Sequence, residues 1–188
     1  MKRTERTDLG LWQLAGAAVL ALAACTTNAA TGGVTEQKDS PMNTQSSSLW
    51  QIIERLAEQM PFRKDSFEQV LGAPLTLKKE DQFKSQWISD AVKLRGNIQI
   101  SDVSLVLGPS GEFKPSSGAT LNLGGACITR DQVKGHFGNL KLVSHPRGRS
   151  LQEVSAWGSD QGWGKLTFAF RENNPDCLAY VTLSGPGQ

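Results

Sequence analysis

The residues from Ser144 to Ser150 read SHPRGRS, which places His145, Arg147 and Arg149 within five positions around Pro146 and Gly148. A guanidinium is a planar fork of donors that matches a carboxylate or phosphate in two parallel hydrogen bonds. Two of them on one short loop therefore form a clamp for an acidic group. The same residues also suit a solvated loop with one structural ion pair, and the sequence leaves both readings open. A little further on, WGSDQGWG brackets a turn with Trp157 and Trp163. Trp and Arg carry much of the binding energy at protein interfaces. These neighbouring loops are thus candidates for one partner-binding surface made by His145, Arg147, Arg149, Trp157 and Trp163. The competing role for the tryptophans is core packing at strand ends.

Catalytic chemistry finds no comparable grouping. LGGAC, Leu123 to Cys127, stands before a helical pattern but contains neither GxGxxG nor GxxxxGKS/T, so its glycines read as the ordinary approach to a helix. Ser110 in GPSG is not at a G-x-S-x-G elbow and reads as a turn residue. Glu80 with Asp81, and Glu153 with Asp160, have no spacing that selects them for acid-base work. His136 and His145 are the two histidines, and neither Cys127 nor Cys177 belongs to a CxxC pair, which argues against a metal site. The expectation is a protein with no catalytic residue, metal or cofactor.

The start of the chain carries a different chemistry. Lys2, Arg3 and Arg6, diluted by Glu5 and Asp8, precede the mostly apolar LWQLAGAAVLALAA, Leu11 to Ala24, which has the layout of a secretory signal peptide over residues 1–24. The stretch falls short of the roughly 20 apolar residues that span a bilayer, and Gln13 interrupts it. Leu22, Ala23, Ala24 and Cys25 resemble the lipobox of bacterial lipoproteins. The resemblance implies that the Cys25 sulfur receives a diacylglycerol, that the leader is cut before it, and that the new amino terminus is acylated. It covers about the first 27 residues and implies nothing about the rest. Two acyl chains suffice for stable membrane anchoring, each buried methylene contributing ~0.8 kcal/mol. Thr26, rather than an aspartate, follows the cysteine, which by the family's sorting tendency implies the outer membrane, with the protein facing the periplasm.

An exported chain passes through an oxidising compartment, where the remaining Cys127 and Cys177 are expected to pair as a disulfide. Two buried free thiols and a metal site are the alternatives. Charge excludes another class. The chain has 20 Lys+Arg and 18 Asp+Glu, of which the first 24 residues hold three and two, leaving 17 against 16. A nearly neutral processed chain argues against the strongly basic surface on which phosphate-driven nucleic-acid binding depends.

These groups need elements to hold them. Residues 25–48, rich in Thr, Ser, Asn, Gln and Gly, are too poor in aliphatic residues to offset the entropy of ordering and read as a tether with a reach of roughly 25 Å. Residues 49–188 then form one domain. Ser48 is a plausible cap for a helix with Leu49, Ile52, Ile53, Leu56, Ala57 and Met60 on one face, stopped by Pro61. DSFEQVLG gives a second helix, with Asp65 and Glu68 spaced as a capping box and Gly72 as its end. Leu75 and Leu77 then alternate as in a strand. The pattern returns at ITRDQVKGHFGNLKLVS, with Thr129 as cap, Val133 and Phe137 on one face, Gly138 as stop, and Leu140 and Leu142 alternating. Strand signals follow each unit: NIQISDVSLVL and ATLNL in the first half, LQEVSAW, GKLTFAF and LAYVTL in the second.

The expected fold is α+β, an antiparallel sheet with short helices packed on one face and two related helix-strand halves. This architecture faintly resembles the small-lipoprotein and β-lactamase-inhibitor-protein-like group. The mature segment is also similar to the immunity lipoproteins paired with antibacterial effectors. That likeness implies an envelope-anchored immunity or inhibitor protein that neutralises a toxic effector by occlusion. The alternative is an accessory lipoprotein of outer-membrane or cell-wall assembly. Either way the expected partners are a protein and, through Cys25, a membrane.

Overall fold

The computed structural model describes residues 47–186. The expected signal peptide, most of the tether and the Cys25 lipidation site lie outside the described residues. The fold takes in Ser47, which is buried and whose carbonyl accepts from the Arg95 N–H at 3.1 Å, so the packed region starts slightly before the expected boundary.

Helix α1 (Leu49–Glu58) begins at Ser48 with a reciprocal cap: the Gln51 N–H donates to Ser48 Oγ, and the Ser48 N–H donates to Gln51 Oε1. This satisfies two of the orphan donors of a first turn. Its apolar stripe, Leu49, Ile52, Ile53 and Leu56, is buried. Helix α2 (Lys64–Leu71) starts at Arg63 without a side-chain cap, so the expected capping box at Asp65 does not form. Glu68 is engaged elsewhere: its Oε1 accepts from Lys64 Nζ at 2.7 Å and from the Leu75 N–H at 2.6 Å, fastening the helix to the strand that follows. Gly72 ends the helix at φ 68°, a left-handed conformation that a residue without Cβ adopts at low cost. Helix α3 (Arg130–Phe137) repeats the reciprocal cap with Thr129 and Gln132 and ends at Gly138, as the sequence predicts for both termini.

Among the described residues nine strands form one antiparallel sheet: β1 (Thr76–Glu80), β2 (Ser85–Ser89), β3 (Val92–Lys93), β4 (Ile98–Leu107), β5 (Gly118–Gly125), β6 (Lys141–Ser144), β7 (Val154–Gln161), β8 (Gly164–Arg171) and β9 (Leu178–Ser184). Their order is β1-β2-β4-β5-β9-β8-β7-β6, with β3 also paired to β4. Cross-strand partners share a face. The register therefore aligns Trp87, Leu105, Ala119, Leu183 and Leu166 in one row, and Val103, Leu121, Val181, Phe168 and Trp157 in the next. These rows face the helices and join Ile52, Ile53, Leu56, Phe67 and Val133 in a single core. The other face carries Ile88, Ser104, Thr120, Thr182 and Thr167, then Asp102, Asn122 and Tyr180, and no helix among the described residues covers it. The structure is thus the expected α+β architecture, with helices on one face of an antiparallel sheet.

The two halves share a path. Helix α2 leads into β1, β2, β4 and β5; helix α3 leads into β6, β7, β8 and β9; and the halves meet where Thr120 of β5 lies opposite Thr182 of β9. The likeness extends to side chains. On the outer strand of each half a leucine faces a tryptophan, Leu77 opposite Trp87 and Leu142 opposite Trp157. The first residue of each half's helix places a cation over that ring: Lys64 Nζ at 5.3 Å from Trp87, and Arg130 Cζ at 5.2 Å from Trp157.

The structure adds two strands, β2 and β3, that the sequence pattern does not show, and it corrects two expectations. Strand β7 runs through Gln161 rather than ending at Trp157, and the hairpin turn shrinks to Gly162 and Trp163. Gly124 and Gly125 finish β5 rather than leading into a helix. A Cβ at Gly125 would collide with the Asn97 carbonyl, the same oxygen that accepts from the Ala126 N–H at 2.8 Å.

Candidate binding groove

The connection from β6 to β7 holds SHPRGRS, and Glu153 organises it. Its Oε2 accepts from the backbone N–H groups of Arg147 and, at 3.0 Å, Gly148, so the loop folds around its own carboxylate. The turn is pinned from behind by backbone bonds from Asn173 to the Leu151 carbonyl, 3.0 Å, and from Glu172 to the Glu153 carbonyl, 2.9 Å. Glu153 makes these bonds with main-chain donors and forms no ion pair with the arginine side chains among the described residues, although it lines the same groove. Neither the Arg147 nor the Arg149 guanidinium has an ion pair among the described residues.

These two arginines and His145 line a groove of about 520 Å³ together with Arg171 and Tyr180. Arg171 comes from the end of β8, where it lies opposite Val154, and its Cζ sits 5.9 Å from the Tyr180 ring centroid. The groove lies at one corner of the sheet and opens toward the face without helices, since Tyr180 shares the face of Asn122 and Ala169. Arg171 also lines a second hollow of about 370 Å³ against Leu123, Gly125 and the Cys127–Cys177 disulfide. Three guanidiniums, a phenol and an imidazole can engage carboxylates or phosphates through charge-assisted, forked hydrogen bonds.

The structure brings His145, Arg147 and Arg149 together and separates them from both tryptophans. Trp157 lies on the helix-covered face under Arg130 and Lys134. Trp163 occupies the β7–β8 turn, partly buried against the core at the other end of strand β7, roughly 20 Å away at ~3.3 Å per residue. The tryptophans thus contribute to packing, while Arg171 and Tyr180 supply the rest of the groove. The signal for these two was the period of β8 and β9, in which Phe168, Phe170 and Val181 point inward and leave Arg171 and Tyr180 outward.

The remaining candidates have structural surroundings. Asp81 Oδ1 accepts from the Phe83 N–H at 2.9 Å and the Lys84 N–H at 3.0 Å, turning the chain from β1 into β2. Those two donors hold its carboxyl below the usual aspartate range. Glu153 and Asp160 stand at opposite ends of β7. Among the described residues no group of three or more His, Cys, Asp or Glu side chains is placed to hold a metal ion. Cys127 and Cys177 form a disulfide with Cα atoms 5.0 Å apart, as expected from the pair.

A comparison with protein-family models finds no match, and comparisons with curated proteins and with solved structures find no significant match.

Proposed function

We propose that this chain is a lipid-anchored periplasmic protein, seated at the outer membrane through Cys25, that captures a protein partner at the groove of Arg147, Arg149 and Arg171. Its role on this reading is that of an immunity or inhibitor protein: it occupies an acidic cleft or loop of a toxic effector and blocks access to it. The observation that carries the reading is the convergence of three guanidiniums in one groove, with no ion pair for Arg147 or Arg149 among the described residues. Burying such a site against carboxylates gives bidentate hydrogen bonds at little entropic cost, because the loop is already fixed by Glu153. A disulfide fits an oxidising envelope compartment.

The decisive experiment replaces Arg147 and Arg149 by alanine in the full chain. The double variant should lose at least tenfold in affinity for the effector encoded beside it, while its melting temperature stays within a degree or two of the parent, since neither side chain supports the fold. Equal binding by the variant refutes the groove. Deleting the gene should harm cells only when the neighbouring effector is active; a constant permeability defect without that dependence favours an assembly role instead. Anchoring is tested separately by Cys25→Ser, which should move the protein from membrane to soluble fractions.

A further inference from the structure

The two outer strands of the sheet differ in the residues that follow a shared leucine, and the difference bears on whether another strand can join. Both β1 and β6 are edges, and an edge presents unpaired backbone donors and acceptors that template association. Both carry the leucine that faces a tryptophan, and both have a register shift immediately after it, between Leu77 and Lys79 in β1 and between Leu142 and Ser144 in β6. The residue in the bulge is Lys78 at one edge and Val143 at the other. β1 continues as Lys78, Lys79 and Glu80, all exposed, so three charges guard it. β6 instead exposes Leu142 at 51% and Val143 at 47%. Val143 leans over the uncovered face, where a Cβ built on Gly158 would lie 3.5 Å from its Cγ1. Leu142 lies on the opposite face, beside Trp157.

We infer that β6 is a docking edge for an extended, acidic segment of the partner protein, which adds to the sheet as a tenth strand. Backbone hydrogen bonds to β6 supply the affinity, and alternate side chains of the incoming segment cover Leu142 on one face and Val143 on the other. The charge of the surroundings selects the segment. Lys141 begins the strand, Arg147 and Arg149 follow it and Arg171 stands beside them, so carboxylates entering alongside meet more cations than the single carboxylate, Glu153, that shares the groove. The same cations oppose pairing of β6 with β6 of a second copy, which would bring two basic loops together. The inference rests on the groove reading and extends it from a patch to a strand.

The probe is an acetylated octapeptide amide alternating valine with glutamate, titrated into the full chain and followed by backbone amide shifts. Shifts should concentrate at residues 141–144 and leave residues 76–80 unmoved. Methylating alternate peptide nitrogens should weaken binding at least tenfold, and so should Val143→Lys, which gives β6 the residue that β1 has. The reciprocal Lys78→Val should create a second binding site at β1, an outcome that general unfolding cannot imitate. If Val143→Lys binds normally while Arg147→Ala with Arg149→Ala does not, the edge inference falls and the groove reading stands. If Val143→Lys abolishes binding and the arginine variant does not, the edge stands and the groove is removed from partner capture. No binding up to millimolar peptide, or self-association of the chain through β6, overturns the proposal.

Discussion

Glu68 shows how one carboxylate can fix the relation of a helix to its strand. Burial disfavours its charge, but the hydrogen bond from Lys64, the Leu75 N–H and the Lys64 charge together outweigh that penalty and hold its carboxyl below the usual glutamate range. A depressed folded-state value means stabilisation that is complete above the unfolded-state pKa and is lost as the pH falls through the folded value. Glu68→Gln should therefore lower stability by about 1 kcal/mol at pH 7, the usual size for one hydrogen bond to a charged group near the surface. Urea unfolding at pH 7 and again near pH 3 checks this. The gap between parent and variant should shrink as the pH falls and the parent carboxyl takes up its proton, and a gap that does not change with pH would refute the electrostatic account. This contact is not legible in the sequence. Asp65 three residues before Glu68 imitates a capping box, and only the position of Leu75 shows where the Glu68 side chain goes.

At the scale of elements, what was legible followed from local rules. Ser48 and Thr129 are caps because a short hydroxyl can reach back to the first turn, and each has a glutamine three residues on to return the bond. Strands β4, β5, β8 and β9 alternate strongly enough to be read directly. β2 was hidden because Ser85 to Ser89 is five residues long, with serine at both ends and its tryptophan only half-buried. β7 was cut short because Gly158, Ser159 and Asp160 are poor strand formers; they stay in the sheet by pairing with Thr167, Leu166 and Lys165, partners that local propensity cannot see. The same limit governs the site. His145, Arg147 and Arg149 are neighbours in the chain and could be nominated together, whereas Arg171 and Tyr180 reach the groove only through the pairing of β7 with β8 and β8 with β9. Trp157 and Trp163 stand close in sequence, but one lies within β7 on the helix-covered face and the other in the turn beyond it, away from the arginine loop, so proximity along the chain is no guide there.

For the whole molecule, the repeated path of helix and four strands makes the sheet continuous across the β5–β9 seam, and the disulfide sits just past that seam. Cys127 precedes α3 and Cys177 precedes β9, with the Leu178 N–H bonded to the Ile128 carbonyl beside them at 2.8 Å. The crosslink spans 50 positions, and the chain it encloses holds α3, β6, β7 and β8, including the whole arginine loop. Closing a loop of that length in the unfolded chain is worth about 4 kcal/mol in the entropic treatment. One core cluster runs through both halves, so this stabilisation belongs to a single cooperative transition rather than to the second half alone. Cys127→Ala with Cys177→Ala should therefore shift the entire denaturant curve to lower concentration by an amount equivalent to about 4 kcal/mol. Circular dichroism and tryptophan fluorescence should report the same midpoint, because Trp50 and Trp87 of the first half share the core with Trp157 and Trp163 of the second. Two separated transitions would show that the halves unfold independently, and an unchanged midpoint would show that the crosslink contributes nothing the sheet does not already supply.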